Sequence, residues 1–335
     1  MPRSARLDSP GILHHIMIRG IERKPIFKSD HDREDFIERL SLLLPETKTG
    51  CYAWVLMHNH GHFLFRSGPG GIAQLMRRLL TGYSVSYNRR YRRHGQLFQN
   101  RYKSIICQED AYLQELVRYI HLNPLRGKVV KDIEALHTYP YSGHSALMGR
   151  YNRPWQDTDY VLSLLGGSIE EARRAYALYV AAGVALGRRP ELTGGGLIRS
   201  MGGWNEFRKS GKMSGERIKA DERILGDSDF VLSVLSEANE RLDHSYELKS
   251  KGVDLNWVAK RVEELLGAES GSVYSKGRQR HQTLARSLFS FWAVRELGMS
   301  NTEVGKKLGI SQPAVGYAVR RGEALAKEHG FQLEE

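Results

Sequence analysis

Three histidines fall close together in His58-Asn59-His60-Gly61-His62. On extended backbone, side chains two apart share a face, so His60 and His62 project side by side. Two imidazoles on one face can chelate a divalent metal, although a His-x-His pair is also ordinary at a sheet edge. His58 has the same parity and is an alternate ligand. A second pair lies in AYLQELVRYIHLNPLRGKVV, where Tyr119 and Asn123 are spaced to share one face of a helix. The Asn123 amide oxygen can be a third ligand to a hard metal, with the Tyr119 phenol beside it placed for attack. A tyrosine of ordinary pKa, about 10, is a poor nucleophile, so a metal that polarises a phosphate would help it. Arg118 and Arg126 flank this face and could hold phosphate. The plainer alternative makes Tyr119 a core aromatic and Asn123 a helix cap. Tyr83 and Tyr87 repeat the same spacing, either as a rival nucleophile pair or as packing and base-stacking residues.

These groups need a scaffold, and the chain is long enough for two domains, with 335 residues of which 41% are hydrophobic. The net charge of +12 suggests a polyanionic partner. Its distribution says more than its total. No acidic residue falls between Glu46 and Glu109, whereas Lys48, Arg66, Arg77, Arg78, Arg89, Arg90, Arg92, Arg93, Arg101 and Lys103 do. A one-sign stretch of that length reads as a phosphate-binding face, and its interleaved tyrosines could stack on unpaired bases. Cys51 and Cys107 are too few for a disulfide framework and read as reduced, buried residues. No apolar run suits a membrane span, and the N-terminus lacks a secretion signal, so the expected location is cytoplasmic with no membrane partner. No GxxxxGK[ST] or GxGxxG motif marks a nucleotide cofactor.

The pattern predicts strands at Gly11–Ile18, Cys51–Met57, His62–Arg66 and Arg101–Cys107. Helices are expected at Asp30–Leu44, with Asp30 as N-cap, at Ile72–Tyr91, and at Glu109–Leu122, ended by Asn123-Pro124. This β-α-β-β-α-β-α order predicts an α+β domain, a ferredoxin-like antiparallel sheet with packed helices. Residues 138–154 are turn-rich and should close it. Domains are expected at 1–150, 151–228 (a helical accessory region with the weak glycine-rich boundary TGGGLIRSMGG) and 229–335 (all-α).

Taken together, AWVLMHNHGHFLF (53–65), QLFQNRYKS (96–104), VRYIHLNPLRGKVV (117–130) and TYPYSGHSAL (138–147) resemble the HUH single-tyrosine transposases, most closely the REP-associated tyrosine transposases. The resemblance covers about residues 11–150 and rests on four ordered blocks. It implies a ferredoxin-like catalytic domain that cuts and rejoins single-stranded DNA through a 5′-phosphotyrosine, commonly at hairpins. By the same resemblance Tyr119 is the nucleophile, His60 and His62 ligate Mg²⁺ or Mn²⁺, and Asn123 is the third, polar ligand. Two departures stand out. Position 61, usually a bulky hydrophobe, is glycine, which should loosen the packing behind the motif, and His58 replaces a frequent proline.

At the other end, NTEVGKKLGISQPAVGYAVRR (301–321) reads as a helix-turn-helix. Val304, Leu308, Ile310, Val315 and Val319 would close a small core, Gly309 makes the turn, Ser311 caps the second helix and Pro313 fits its first turn. Gln312, Tyr317, Arg320 and Arg321 could face duplex DNA, unless the segment is an ordinary helical hairpin. With the basic stretch Lys276-Gly277-Arg278-Gln279-Arg280, in which Arg278 and Arg280 would hold phosphates, residues 250–325 look like the DNA-binding domain of the replication initiator DnaA. The expected partners are therefore single-stranded or hairpin DNA and duplex DNA, with the protein a monomer or a homodimer. Rival readings are a transcriptional regulator, a catalytically inactive repeat-binding protein, and a relaxase.

Overall fold

The first strand pattern is realised as β1 (Leu13–Arg19) in the computed structural model, which describes residues 7–8, 10–187, 189–193, 221, 223–227, 229–236, 248, 251–275, 277 and 279–333. After it come α1 (Asp30–Thr47), β2 (Gly50–Met57), β3 (His60–Arg66), α2 (Ile72–Arg90), β4 (Lys103–Cys107) and α3 (Glu109–His121). The cap of α1 is Ser29 and not Asp30. Its hydroxyl accepts from Asp32 N, and the Asp32 carboxylate accepts in return from Ser29 N, a reciprocal pair that outcompetes a lone aspartate.

The sheet order is β2-β3-β1-β4-β5, the ferredoxin-like arrangement of four antiparallel strands plus β5 (Ile224–Leu225), which pairs parallel to β4. β5 has only two residues, too short for a sequence pattern to announce it. Side chains alternate between the faces. On one face Ile16, Ile18, Trp54, Phe63 and Phe65 pack under α1 and α2. On the other, Leu13, Val55, Leu64 and Ile105 meet Leu113, Leu116, Val117 and Ile120 of α3. A register shift between Cys51 and Ala53 resets the alternation in β2, so Tyr52 and Ala53 both lie on the α3 face. Cys51 and Cys107 are buried and unlinked.

Beyond α3 the chain stays helical. Pro124 sits in the first turn of a short α4 (Asn123–Arg126), a position where its missing N–H costs nothing. Two further short helices, α5 (Ile133–His137) and α6 (Gly143–Leu147), follow. The turn-rich segment binds the sheet through Leu56 N to Tyr141 O at 2.9 Å and Tyr139 OH to Leu56 O at 3.1 Å. α7 (Thr158–Ser163) and α8 (Ile169–Ala182) add Val161, Leu162, Ala172, Tyr176 and Val180 to the α3-side core, joined there by Leu192. Part of the segment expected to be accessory thus covers the sheet face that carries the histidine pair. The glycine-rich residues 194–203 lie outside the described residues.

Contacts divide the chain into two compact units, Met1–Val234 and Leu235–Glu335. The described part of the second holds α9 (Leu255–Leu266), α10 (Arg280–Arg295), α11 (Asn301–Leu308) and α12 (Gln312–His329). Val304, Leu308, Val315 and Val319 join Leu288, Phe289 and Trp292 in its core. Gly309 adopts φ 64°, a left-handed conformation that costs a glycine little, and Ser311 Oγ accepts from Ala314 N. Among the described residues no helix is long and apolar enough to cross a membrane.

Candidate active site

β3 carries His60 and His62 on the α3 face, opposite Met57 and Val55 of β2 and Arg19 and Met17 of β1. Their ring centroids are 5.4 Å apart. His15 of β1 is diagonal to His62 on the same face, a spacing within reach of large side chains. The two rings stack with centroids 5.3 Å apart, and His15 Nε2 lies 3.1 Å from His62 Nδ1.

α3 lies over this cluster because Leu113, Leu116, Val117 and Ile120 form one apolar stripe that docks on the sheet. Tyr119 sits at the edge of that stripe. Its ring is 6.0 Å from His62 and 5.9 Å from His15, edge-on to both. One turn on, Asn123 keeps the expected register with Tyr119, and its amide Nδ2 donates to Tyr119 O at 2.9 Å and Ile120 O at 3.1 Å. The cap and ligand alternatives are therefore compatible: the nitrogen caps α3, and the oxygen is the atom left to meet a cation. Arg126 lies over the Tyr119 ring at 5.5 Å and donates through Nη2 to Gly183 O at 3.3 Å. Its Nε and Nη1 are buried and have no acceptor among the described residues. Burial draws the Arg126 pKa below the usual arginine value, although Tyr119 opposes the shift.

Burial also lowers the His60 pKa to about 4, with Arg19 adding to the effect. It drives His62 well below its ordinary value, helped by His15 and His60. Both rings are therefore neutral at physiological pH, the form that donates a lone pair to a metal. Among the described residues no three His, Cys, Asp or Glu side chains are grouped to hold a metal. The expected ligands, two neutral imidazoles and the Asn123 amide oxygen, are donors of a different kind. By donor chemistry such groups are compatible with a divalent cation, and imidazole nitrogens suit Mn²⁺ better than Mg²⁺.

Other expected residues fall elsewhere. His58 is exposed in the turn before β3, not on the strand beside His60. Tyr83 and Tyr87 are buried in the other core, where their hydroxyls donate to Ile26 O and Pro25 O, so they are packing residues. His121, two residues beyond Tyr119 and not expected at the site, turns into the core and bonds the Tyr176 hydroxyl at 2.7 Å. At position 61 the expected looseness is absent. A Cβ there would lie 3.2 Å from the Phe63 ring and 3.3 Å from Ile18, so these two side chains already fill the space.

The basic window is partly neutralised by acids from outside it. Arg90 pairs with Asp32 and Asp35 of α1, and Arg78 with Glu46. Arg118 binds Glu115 and stacks on Tyr179. Arg77, Arg89 and Arg101 are exposed, as is Lys103, whose Nζ donates to Thr193 O at 2.6 Å. In the second unit Arg280, Gln312, Tyr317, Arg320 and Arg321 are exposed, whereas Arg278 lies outside the described residues. His15 and Leu192 are neighbours of the site that the sequence pattern did not single out. The His14-His15 doublet was a signal, since one of two consecutive strand residues must share the face of His62.

The helix-borne phenol of Tyr119 thus lies beside the strand-borne rings of His15 and His62. Residues 9–123, which span β1 through Asn123, match the family model described as Transposase IS200 like. The match covers about a third of the chain and is a similarity of this segment. The match ends before α5, so the matched segment contains His15, His60, His62, Tyr119 and Asn123 but not α7 and α8. The curated proteins gave no match to the chain. A solved structure of a REP-associated tyrosine transposase bound to a REP hairpin is similar over 50% of this chain and 93% of that chain, at 14% identity and a TM-score of 0.38. A likeness of that degree establishes neither substrate nor mechanism for this protein.

Proposed function

We propose that this protein cleaves and rejoins single-stranded DNA through a covalent bond between Tyr119 and a 5′-phosphate. The observation that carries the reading is the approach of the Tyr119 ring to within 6.0 Å of His62, inside an IS200-like domain. A cation held by His60, His62 and Asn123 would supply Lewis-acid polarisation of the scissile phosphate. The Tyr119 oxygen attacks in line, a bond to phosphorus forms, and the P–O3′ bond breaks. The phenol proton is transferred, in net terms, to the leaving 3′-hydroxyl. Reversal by the same or another 3′-hydroxyl rejoins the strand without ATP, because the phosphodiester is conserved. Arg126 is poised to hold the phosphate or the developing phenolate with its two unmet donors. Exposed Arg77, Arg89 and Arg101 would meet the backbone of the strand. Arg78, Arg90 and Arg118 support the fold through their carboxylate pairs.

For the second unit we propose duplex binding by α12. Ser311 starts the helix, and Gln312, Tyr317, Arg320 and Arg321 are all solvent-exposed, with Tyr317 at 63%. Exposure of so large an aromatic on a basic helix favours a nucleic-acid face over a solvated hairpin.

The test is a labelled single-stranded hairpin from the DNA flanking the gene, with the covalent adduct resolved on a denaturing gel and located by mass spectrometry. The adduct should map to Tyr119 and vanish in Tyr119→Phe while binding persists. An adduct that survives Tyr119→Phe rules the nucleophile out. Binding without any adduct in the wild type would favour a regulator or an inactive repeat-binding protein.

A further inference from the structure

We propose that His15 is a positioning residue that locks His62 in the tautomer whose Nε2 carries the lone pair for a divalent cation. This rests on the reading of His60 and His62 as a metal-binding pair. His15 is fully buried in β1, and each of its ring nitrogens has a partner. Nδ1 lies 3.1 Å from the Leu192 carbonyl oxygen, and Nε2 lies 3.1 Å from His62 Nδ1.

A carbonyl oxygen can only accept, so the His15 proton resides on Nδ1. Neither partner is an anion, and a fully buried imidazolium with no counter-charge is costly, so His15 carries that one proton only. Its Nε2 is then an acceptor, and the proton between the two rings belongs to His62 Nδ1. A neutral imidazole has a single N–H, which leaves His62 Nε2 unprotonated. The carbonyl of Leu192 thus sets the protonation of a ring two hydrogen bonds away. The same bonds fix the rotation of His62 and make it a better donor. One end of this relay lies in the segment after α8, outside the matched part of the domain. Lys103 Nζ donates to the neighbouring Thr193 O at 2.6 Å and helps to hold that segment against the sheet.

The test uses full-length protein labelled with ¹⁵N-histidine. In metal-free wild type, long-range ¹H–¹⁵N spectra should show His62 protonated at Nδ1. Protonation at Nε2 overturns the proposal whatever any variant does. Mn²⁺ affinity is then compared in three variants whose folding is checked by circular dichroism. His15→Leu removes the acceptor and should weaken Mn²⁺ binding by ~10- to 100-fold. His15→Gln places an amide oxygen near the lost Nε2 and should restore most of it. His60→Ala asks whether the pair binds metal at all. Lost binding in His60→Ala with unchanged binding in His15→Leu overturns the role of His15 and leaves the metal site standing. Unchanged binding in His60→Ala overturns the metal site, and the proposal with it. Equal losses in His15→Leu and His15→Gln, both folded, also count against the relay.

Discussion

Replacing Arg126 by methionine should separate activity from stability. The guanidinium lies 5.5 Å over the Tyr119 ring, with Nε and Nη1 buried and without acceptors among the described residues. Its hydrogen bond to Gly183 O is long at 3.3 Å. A half-buried cation so poorly matched costs the folded state more than it returns, and exchange for an apolar side chain of similar length is often neutral or stabilising. The same unmet donors are what a phosphate or phenolate would engage. One charge-assisted hydrogen bond formed in the transition state contributes about 1.5–3 kcal/mol, equivalent to ~10- to 150-fold in rate. Arg126→Met should therefore slow single-turnover cleavage of a hairpin substrate by that factor while the melting temperature holds or rises. Arg126→Lys should fall between, because it keeps the charge and loses the planar fork. Cleavage at the wild-type rate, or a loss of rate that follows a matching loss of stability, would refute the reasoning.

Three other perturbations have defined outcomes. Asp32 is fully buried and accepts from Lys28 N, Ser29 N and the Tyr91 hydroxyl besides its pair with Arg90. Asp32→Ala should thus destabilise the first unit by ~3–5 kcal/mol in urea denaturation, and a loss below 1 kcal/mol (the order of an exposed pair) would contradict the burial argument. His144 is held at a pKa of about 3, first by burial and then by His137, whereas its unfolded value is 6.5. Since only the unfolded state takes up this proton between those values, the stability contribution is intact above pH 6.5 and is lost as pH falls towards 3. Thermal melts across that range should show a shallower fall in His144→Gln, and an identical slope would exclude the effect. In the second unit, Arg320→Ala with Arg321→Ala should weaken duplex binding and reduce the salt slope by about 2; a slope left unchanged would remove these arginines from the phosphate contacts.

Parity was enough to read which of these side chains share a face. Two histidines in i, i+2 spacing must share a strand face, and a tyrosine and an asparagine in i, i+4 spacing must share a helix face. Those rules hold for His60 with His62 and for Tyr119 with Asn123, because strand and helix geometry is local. The same locality explains the close agreement of β1, β2, β4, α2 and α3 with the expected segments. The failures are non-local. Arg78 and Arg90 looked unopposed in a stretch without acids, yet Glu46, Asp32 and Asp35 reach them from α1. Charge pairing follows distance in space, and the chain separation of 58 residues between Arg90 and Asp32 hides it from any window.

The amino-acid order by itself determined which of the longer elements form, which face each presents, and that the two chemical pairs are internally aligned. Only the tertiary structure decided that α3 docks over β3, that His15 backs His62, and that the Leu192 carbonyl meets the far side of the His15 ring. The reason is physical. Periodicity encodes how a side chain projects from its own backbone, but the contact between two elements depends on how their apolar stripes interlock. Residue types along the chain constrain that packing without naming the partner.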